Sequence, residues 1–350
     1  MSGRRALRRV ALFLTLGLAL AACPVATPSG ADGDPNGDTA WTDPSPPVDL
    51  GPPDTGLDPE PLRSGPFKVL FDNAHAENAG DANWVIDDNA PHPSPTSPTS
   101  AEAWKGAISS WGYALWKSGR YQVETLPPGQ QLTYNETSNA QDLSNYHLLI
   151  VPEPNSLFTT AEKTALLDFV FAGGGLFMVA DHGGSDRNAD GYDSCAIWTD
   201  FMVNNGTLND PFGIHFKGNS FTAYPGNPYG DGAVTNMANL PDNRVLHGPF
   251  GEVGALSFHA ATSLTINPSW NAKVRGLFWR DGYAQGTDYV DFATSKYGSG
   301  RVAAVGDSSP ADDGTGETGK DLFNGWTEAG ATNNIMLLNA AAWLVRDIGS

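Results

Sequence analysis

Two apolar runs joined through a single helical segment constrain this 350-residue chain more than any other feature. Tyr146-His-Leu-Leu-Ile-Val151 reads as a buried strand closed by Pro152. Thr159 or Thr160 caps the helix that follows, with Glu162 and Lys163 in its opening turns and Leu166, Leu167, Val170 and Phe171 as apolar positions. Gly173 to Gly175 stop it. Leu176-Phe-Met-Val-Ala180 is then a second buried strand. A strand, a covering helix and a strand after a short return form a parallel pair. Several such units make an α/β fold with a mostly parallel sheet covered on both faces.

The remaining segments supply those units. Phe67 to Phe71 and Tyr121 to Thr125 are strands, and Trp104, Ile108, Trp111 and Leu115 predict a helix over 101–117. Val274 to Trp279 and Arg301 to Val305 return to strand character, and Asn333 to Arg346 is a closing helix. Between them, residues 194–270 are rich in Asn, Gly and Pro with brief strands such as Ile214 to Phe216. That composition predicts an irregular insertion over one end of the sheet.

The first sixty residues belong to transport. Arg4, Arg5, Arg8 and Arg9 precede an apolar run from Val10 to Ala22, too short for a span of ~20 residues, which predicts a signal peptide over 1–22. Leu20-Ala-Ala-Cys23 resembles the bacterial lipoprotein box, whose cysteine is lipidated, so the expectation is a membrane partner through a lipid on Cys23 and a place in the cell envelope. Residues 23–65, rich in Pro, Gly and Asp, form a flexible tether, leaving 66–350 as the folded domain. Cys195 is then the remaining cysteine, a small buried filler with no disulfide. The net charge is −19, and −23 once residues 1–22 and their four arginines are gone. Such a surface repels phosphate backbones, so nucleic acid is not an expected partner. Its carboxylates suit hard cations.

Each of three strands runs directly into acid. Asp72 and His75 follow the first, Asp181 and His182 the central one, and Asp307 the last. In an open α/β sheet, parallel neighbours deliver these ends to one crevice. Carboxylates and imidazoles gathered there suit a divalent cation that activates a water or polarises an oxygen. Asp181 and Asp72 would be ligands, and His182 or His75 a ligand or general base. Calcium, magnesium, manganese and zinc all stay open. Asp186-Arg-Asn188-Ala-Asp190-Gly191 matches the first half of a calcium loop, but the twelfth position is Ile197, leaving Asp193 or Asp200 to substitute. Structural calcium, part of the crevice, or a plain polar turn are the three readings of it. Gly306-Asp307-Ser308 matches an esterase nucleophile motif yet follows the last strand instead of the first. His247 and His259 read as satisfied polar residues.

With Phe71-Asp-Asn-Ala-His75, Asn83-Trp-Val-Ile-Asp87, Ala180-Asp-His182, Asp186-Arg-Asn188, Phe258-His-Ala260 and Gly306-Asp-Ser-Ser-Pro310 in place, the chain resembles class I glutamine amidotransferase-like domains of the trehalose-utilisation-like branch, secreted bacterial ones above all. The resemblance covers residues 66–350 and implies a flavodoxin-like three-layer sandwich. In true glutamine amidotransferases a cysteine nucleophile stands in Gly-x-Cys-x-Gly after the central strand; here the turn is Ala180-Asp-His-Gly-Gly184, with His182 at or beside that place. Without the thiol, glutaminase chemistry is excluded. The expectation is a cell-surface lipoprotein with a metal-assisted hydrolase-like site formed by these groups, acting on a polysaccharide, phosphoester or amide outside the membrane or in the periplasm. The alternative is a non-catalytic module that binds a glycan or partner, its acidic loops ordered by calcium. Tyr224, Tyr229 and Trp270 suit sugar stacking, although core filling explains them equally.

Overall fold

The computed structural model describes residues 60–227, 232–317, 320 and 323–347. The predicted signal segment, Cys23, the tether as far as residue 59, and Tyr229 lie outside the described residues. In chain order the elements are β1 (Phe67–Asp72), α1 (Ser109–Lys117), β2 (Tyr121–Leu126), β3 (Leu148–Pro152), α2 (Thr160–Phe171), β4 (Gly175–Val179), α3 (Ser194–Val203) and β5 (Ile214–Phe216). Then come β6 (Phe221–Ala223), β7 (His247–Gly248), β8 (Gly251–Glu252), β9 (Phe258–Ala261), β10 (Leu264–Ile266), β11 (Arg275–Trp279), β12 (Val290–Tyr297), β13 (Gly300–Val305) and α4 (Asn333–Val345).

Five strands run parallel in the order β2-β1-β3-β4-β13, the flavodoxin-like arrangement with β13 in fifth place. From there the sheet continues antiparallel: β12 pairs β13, β11 pairs β12, and β10 pairs both β12 and β5. The result is a nine-stranded mixed sheet in an α/β three-layer sandwich.

Register shows which helix covers which face. A side chain on Gly175 would strike Leu344 of α4, and Phe177, two residues on, meets Trp111 of α1 with ring centroids 5.2 Å apart. Arg301, opposite Gly175, donates to the Trp343 carbonyl on the same side. Gly300 therefore faces the other way, where its missing Cβ would lie 1.9 Å from the Val170 carbonyl of α2. Lys163 of α2 pairs with Asp200 of α3. On α2 the predicted cap is a complete capping box, Thr159 with Glu162.

Three expectations need correction. The helix expected over 101–117 begins only at Ser109. Gly106 before it lies so close to the Val85 carbonyl that any side chain would overlap it, and Asp313 anchors the start by accepting from the Ser109 hydroxyl and the Ser110 amide. The segment 194–270 is not one irregular cover: it opens with α3, and β5 and β10 join the main sheet. Finally, Glu60 and Arg63, read as tether, lie against the domain. Glu60 pairs with Arg301 and Arg346, and the Arg63 amide donates to the Arg346 carbonyl at 2.6 Å. No helix among the described residues is long and apolar enough to cross a membrane.

Candidate functional site

The chain turns in opposite directions from β1, to β2 on one side and β3 on the other, and that switch opens a crevice at the carboxyl ends of the strands. Two adjoining groups of ionisable side chains lie there.

The first comes from the turn after β1. Asp72 accepts from the Ala74 amide at 2.9 Å and from His75 Nδ1 at 2.7 Å, and His75 Nε2 lies 3.4 Å from Glu162 Oε1 at the start of α2. Glu77 Oε2 accepts the His75 amide, while its Oε1 is buried without a hydrogen-bond partner. Burial works against a charged His75, but Asp72 and Glu162 outweigh it and raise its pKa well above the ordinary value. Burial and Asp72 push Glu77 well up. Burial also acts to raise Glu162, but its bonds with His75 and the Thr159 cap lower it to about 2. Among the described residues, Asp72, His75 and Glu77 are the His, Cys, Asp and Glu group whose candidate ligand atoms all lie within 4.8 Å of one another.

The second group joins the ends of β3, β4 and β13. Glu153, directly after β3 and between Pro152 and Pro154, is fully buried with φ of 56°, in the left-handed region that a glutamate seldom adopts. Its Oε2 accepts from Ser308 Oγ at 2.6 Å, and its Oε1 meets Arg187 Nε. Arg187 also reaches Asp181 Oδ2 at 2.7 Å and Asp81 at 2.6 Å. Asp307 accepts from the Ser309 amide at 2.8 Å and the His259 amide at 2.6 Å. Burial, then Glu153 and Asp307, push Asp181 well above the carboxylate range despite Arg187. Burial outweighs the two amide bonds at Asp307 and, with Glu153 adding, raises it to about 7. Asn155 links the two groups: its amide donates to the His75 carbonyl at 2.7 Å, and its side-chain oxygen accepts the Arg187 amide at 2.9 Å.

The predicted residues are thus shared out. Asp72 and His75 belong to the first group, Asp181 and Asp307 to the second. His182 sits at the rim, its side chain 32% exposed, with Nε2 3.9 Å from Asp181 Oδ2 and Nδ1 against the Gly183 carbonyl at 2.9 Å. Asp186 accepts the Asp190 and Gly191 amides, and Asp190 accepts the Tyr192 amide. Asn188 donates to the Asn155 carbonyl and to Ser156. Of the positions that could complete a calcium loop, Asp193 caps α3 through the Ala196 amide, Asp200 pairs with Lys163, and Ile197 is buried. The Cys195 thiol, pushed up by burial, donates to the Asp181 carbonyl and is not a nucleophile. His259 stacks between Tyr224 and Phe323, at 4.2 and 4.4 Å, and pairs with Glu328 at 2.7 Å. Trp270 is exposed.

Glu153, Arg187, Glu77 and Ser308 had no place in the sequence-based site. A glutamate between two prolines, immediately after a buried run, was the available signal for Glu153. Among the described residues, four of the eight non-glycine residues with positive φ, Ala76, Glu153, Ala189 and Ala260, lie in the turns that carry these groups, and such strain collects at working sites.

No family model matches the sequence, and no curated protein matches it. Among solved structures it is similar to a ThuA-like protein from Bacteroides uniformis (TM-score 0.40, 15% identity, over 81% of this chain and 94% of that one). A ThuA-like protein from Parabacteroides merdae gives a TM-score of 0.41 at 13% identity, over 80% of this chain and 90% of that one. The N-terminal domain of mmIFT52 gives 0.47 at 12% identity, over 79% and 97%.

Proposed function

We propose that the chain is a hydrolase working by carboxylate acid–base chemistry, on a glutamine amidotransferase-like scaffold that lacks the cysteine. The observation that carries this reading is Glu153: a buried carboxylate held in left-handed backbone at a strand-to-helix turn, aimed at Ser308 and Arg187. Asp307, titrating at about 7, is a general acid suited to neutral pH, and Glu153 is the base or nucleophile facing it. Arg187 sits between Glu153 and Asp181 and supplies the positive charge that a divalent ion would otherwise bring. His182 stands at the rim between solvent and the buried Asp181. Arg187 is already paired with Glu153, Asp181 and Asp81, which leaves it little charge to offer an anion, so of the open substrate classes an uncharged glycoside, ester or amide is favoured over a phosphoester. The test is turnover of chromogenic aryl glycosides, aryl esters and anilides by the full chain. One class should be cleaved, and Glu153→Gln should slow it about a thousandfold. Cleavage of none, or equal cleavage by the variant, sinks the proposal.

A second reading rests on the first group. One imidazole and two carboxylates are a donor set for zinc or manganese more than for calcium. To bind, the ion must take a His75 nitrogen from Asp72 or Glu162. There it would activate a water or polarise an oxygen. Calorimetric titration with calcium, magnesium, manganese and zinc tests it, with Glu77→Gln as control; absence of heat with all four rejects the cation. As for place, we propose a lipid anchor on Cys23 in the cell envelope. Cys23→Ser should release the protein from the membrane fraction, and unchanged partition would contradict the anchor.

A further inference from the structure

The turn that carries His182 also starts a groove. Gly183 and Gly184 form one end of a cavity of about 700 Å³ that runs between α3 and β5. That is large enough for a chain of several small rings. Every charge on its walls already has a partner. Asp193 accepts the Ala196 and Gly184 amides, Asp200 pairs with Lys163, and Lys217 pairs with Asp288. An ionic ligand would find no unpaired counter-charge, and its desolvation would go uncompensated. The rest of the wall is neutral: apolar Ala196, Val203 and Phe216, with Thr199 and Asn204, whose side chains donate to the Cys195 carbonyl and to Asp200 and keep their oxygens as acceptors. At the rim stands Tyr192, 43% exposed, a ring with no aromatic partner among the described residues.

We infer that this groove binds an uncharged oligosaccharide, with Tyr192 against the face of one sugar and the Thr199 and Asn204 side chains on its hydroxyls. A tyrosine offers an apolar face and a polar tip, the two surfaces a sugar ring presents. Because Gly183 and Gly184 follow His182 directly, a chain lying in the groove leads to the rim of the acid–base centre. This names the substrate class for the hydrolase reading and rests on it for the bond that is cut; binding is measured separately.

The experiment is calorimetric titration of the full chain with maltohexaose, cellohexaose, xylohexaose and mannohexaose at about pH 8, where Asp307 has lost its proton and cleavage is slow. At least one should bind. Tyr192→Ala should weaken it roughly tenfold, Tyr192→Phe should keep it, and Thr199→Glu, which adds an unpaired charge to the wall, should abolish it. Circular dichroism checks that each variant is folded, and the solvent-exposed Tyr192 pair suffices if Thr199→Glu is not. Binding by none of the four, or binding indifferent to Tyr192→Ala, overturns the inference. Oligosaccharide binding without cleavage of any aryl glycoside keeps the groove and removes the hydrolase. Cleavage of aryl glycosides without oligosaccharide binding does the reverse.

Discussion

Glu153 puts two opposed demands on one residue: its carboxylate is bonded on both oxygens, while its backbone occupies a conformation in which a Cβ is unfavourable. The two effects separate by comparing truncations. Glu153→Ala and Glu153→Gly lose the same carboxylate, but glycine also relieves the backbone by about 1 kcal/mol. Glu153→Gly should therefore melt about 2 °C above Glu153→Ala. Equal Tm values would mean that φ of 56° carries no strain. The buried acids make a second prediction. Asp307 titrates at about 7 when folded against an ordinary 3.8, so between those values the folded chain keeps a proton that the unfolded chain has lost. Its stabilisation is complete below about pH 4 and is lost as pH rises to about 7. His75, raised above 6.5, adds a loss on the alkaline side, and Glu162, lowered to about 2 from 4.5, adds a loss as pH falls from 4.5 toward 2. The Tm of the wild-type chain should fall as pH rises from about 4 to about 7, with the raised Glu77 and Asp181 acting in the same direction, and Asp307→Asn should flatten that decline. An unchanged slope in that variant would contradict the raised Asp307. Asp72, Asp181 and Asp307 were legible because each follows an apolar run directly. Arg187 was not, since its role comes from reaching back across the crevice to Glu153 and Asp181, contacts 34 and 6 residues away.

Between residue and fold, α3 shows how an element governs the site it borders. Its N-cap, Asp193, accepts the Ala196 amide with one oxygen and the Gly184 amide with the other, so one side chain starts the helix and holds the turn after His182. Asp193→Ala should cost about 1 kcal/mol for the lost cap. It should also raise hydrogen exchange at Gly184 and Ser185 beyond any change in the rest of the domain; protection that falls evenly everywhere would show that the cap does not hold the turn. The helix itself escaped the sequence pattern because the face it turns away from the core, Ala196, Thr199, Asp200 and Val203, is half apolar and contrasts weakly with the buried Cys195, Ile197, Trp198, Phe201 and Met202. β12 escaped for the opposite reason. Asp291, Thr294, Ser295 and Lys296 are buried within it, and such residues read as a surface loop. By contrast, β3, α2 and β4 were plain, because strands covered on both faces are continuous apolar runs and the Thr159–Glu162 box marks the helix start.

At the scale of the molecule, the sandwich closes at the end of the sheet opposite the crevice. Glu60 lies against Arg301 in β13 and Arg346 beyond α4, Arg63 bridges to Asp347, and Asp347 accepts from Arg120 and from the Tyr121 hydroxyl at 2.5 Å. The start of the domain, an edge strand, a central strand and the last helix thus meet in one network of charges. Composition could not reveal this, since Pro59 to Ser64 looks like the tether before it and its charges find their partners some 240 residues later. Arg301 is 1% exposed, so taking Glu60 away leaves a buried charge less compensated, a larger loss than breaking a pair between exposed side chains. Chains that begin at Glu60 and at Pro66 should consequently differ. The shorter one loses Glu60 beside Arg301 and the Arg63 amide bond, and should melt lower by about 2–4 °C for each kcal/mol removed. Glu60→Gln in the longer chain should reproduce part of the drop. Limited proteolysis of the full chain should accordingly stop before Glu60 and not at residue 65. A Pro66 chain as stable as the Glu60 chain would show that the segment rests on the domain without supporting it.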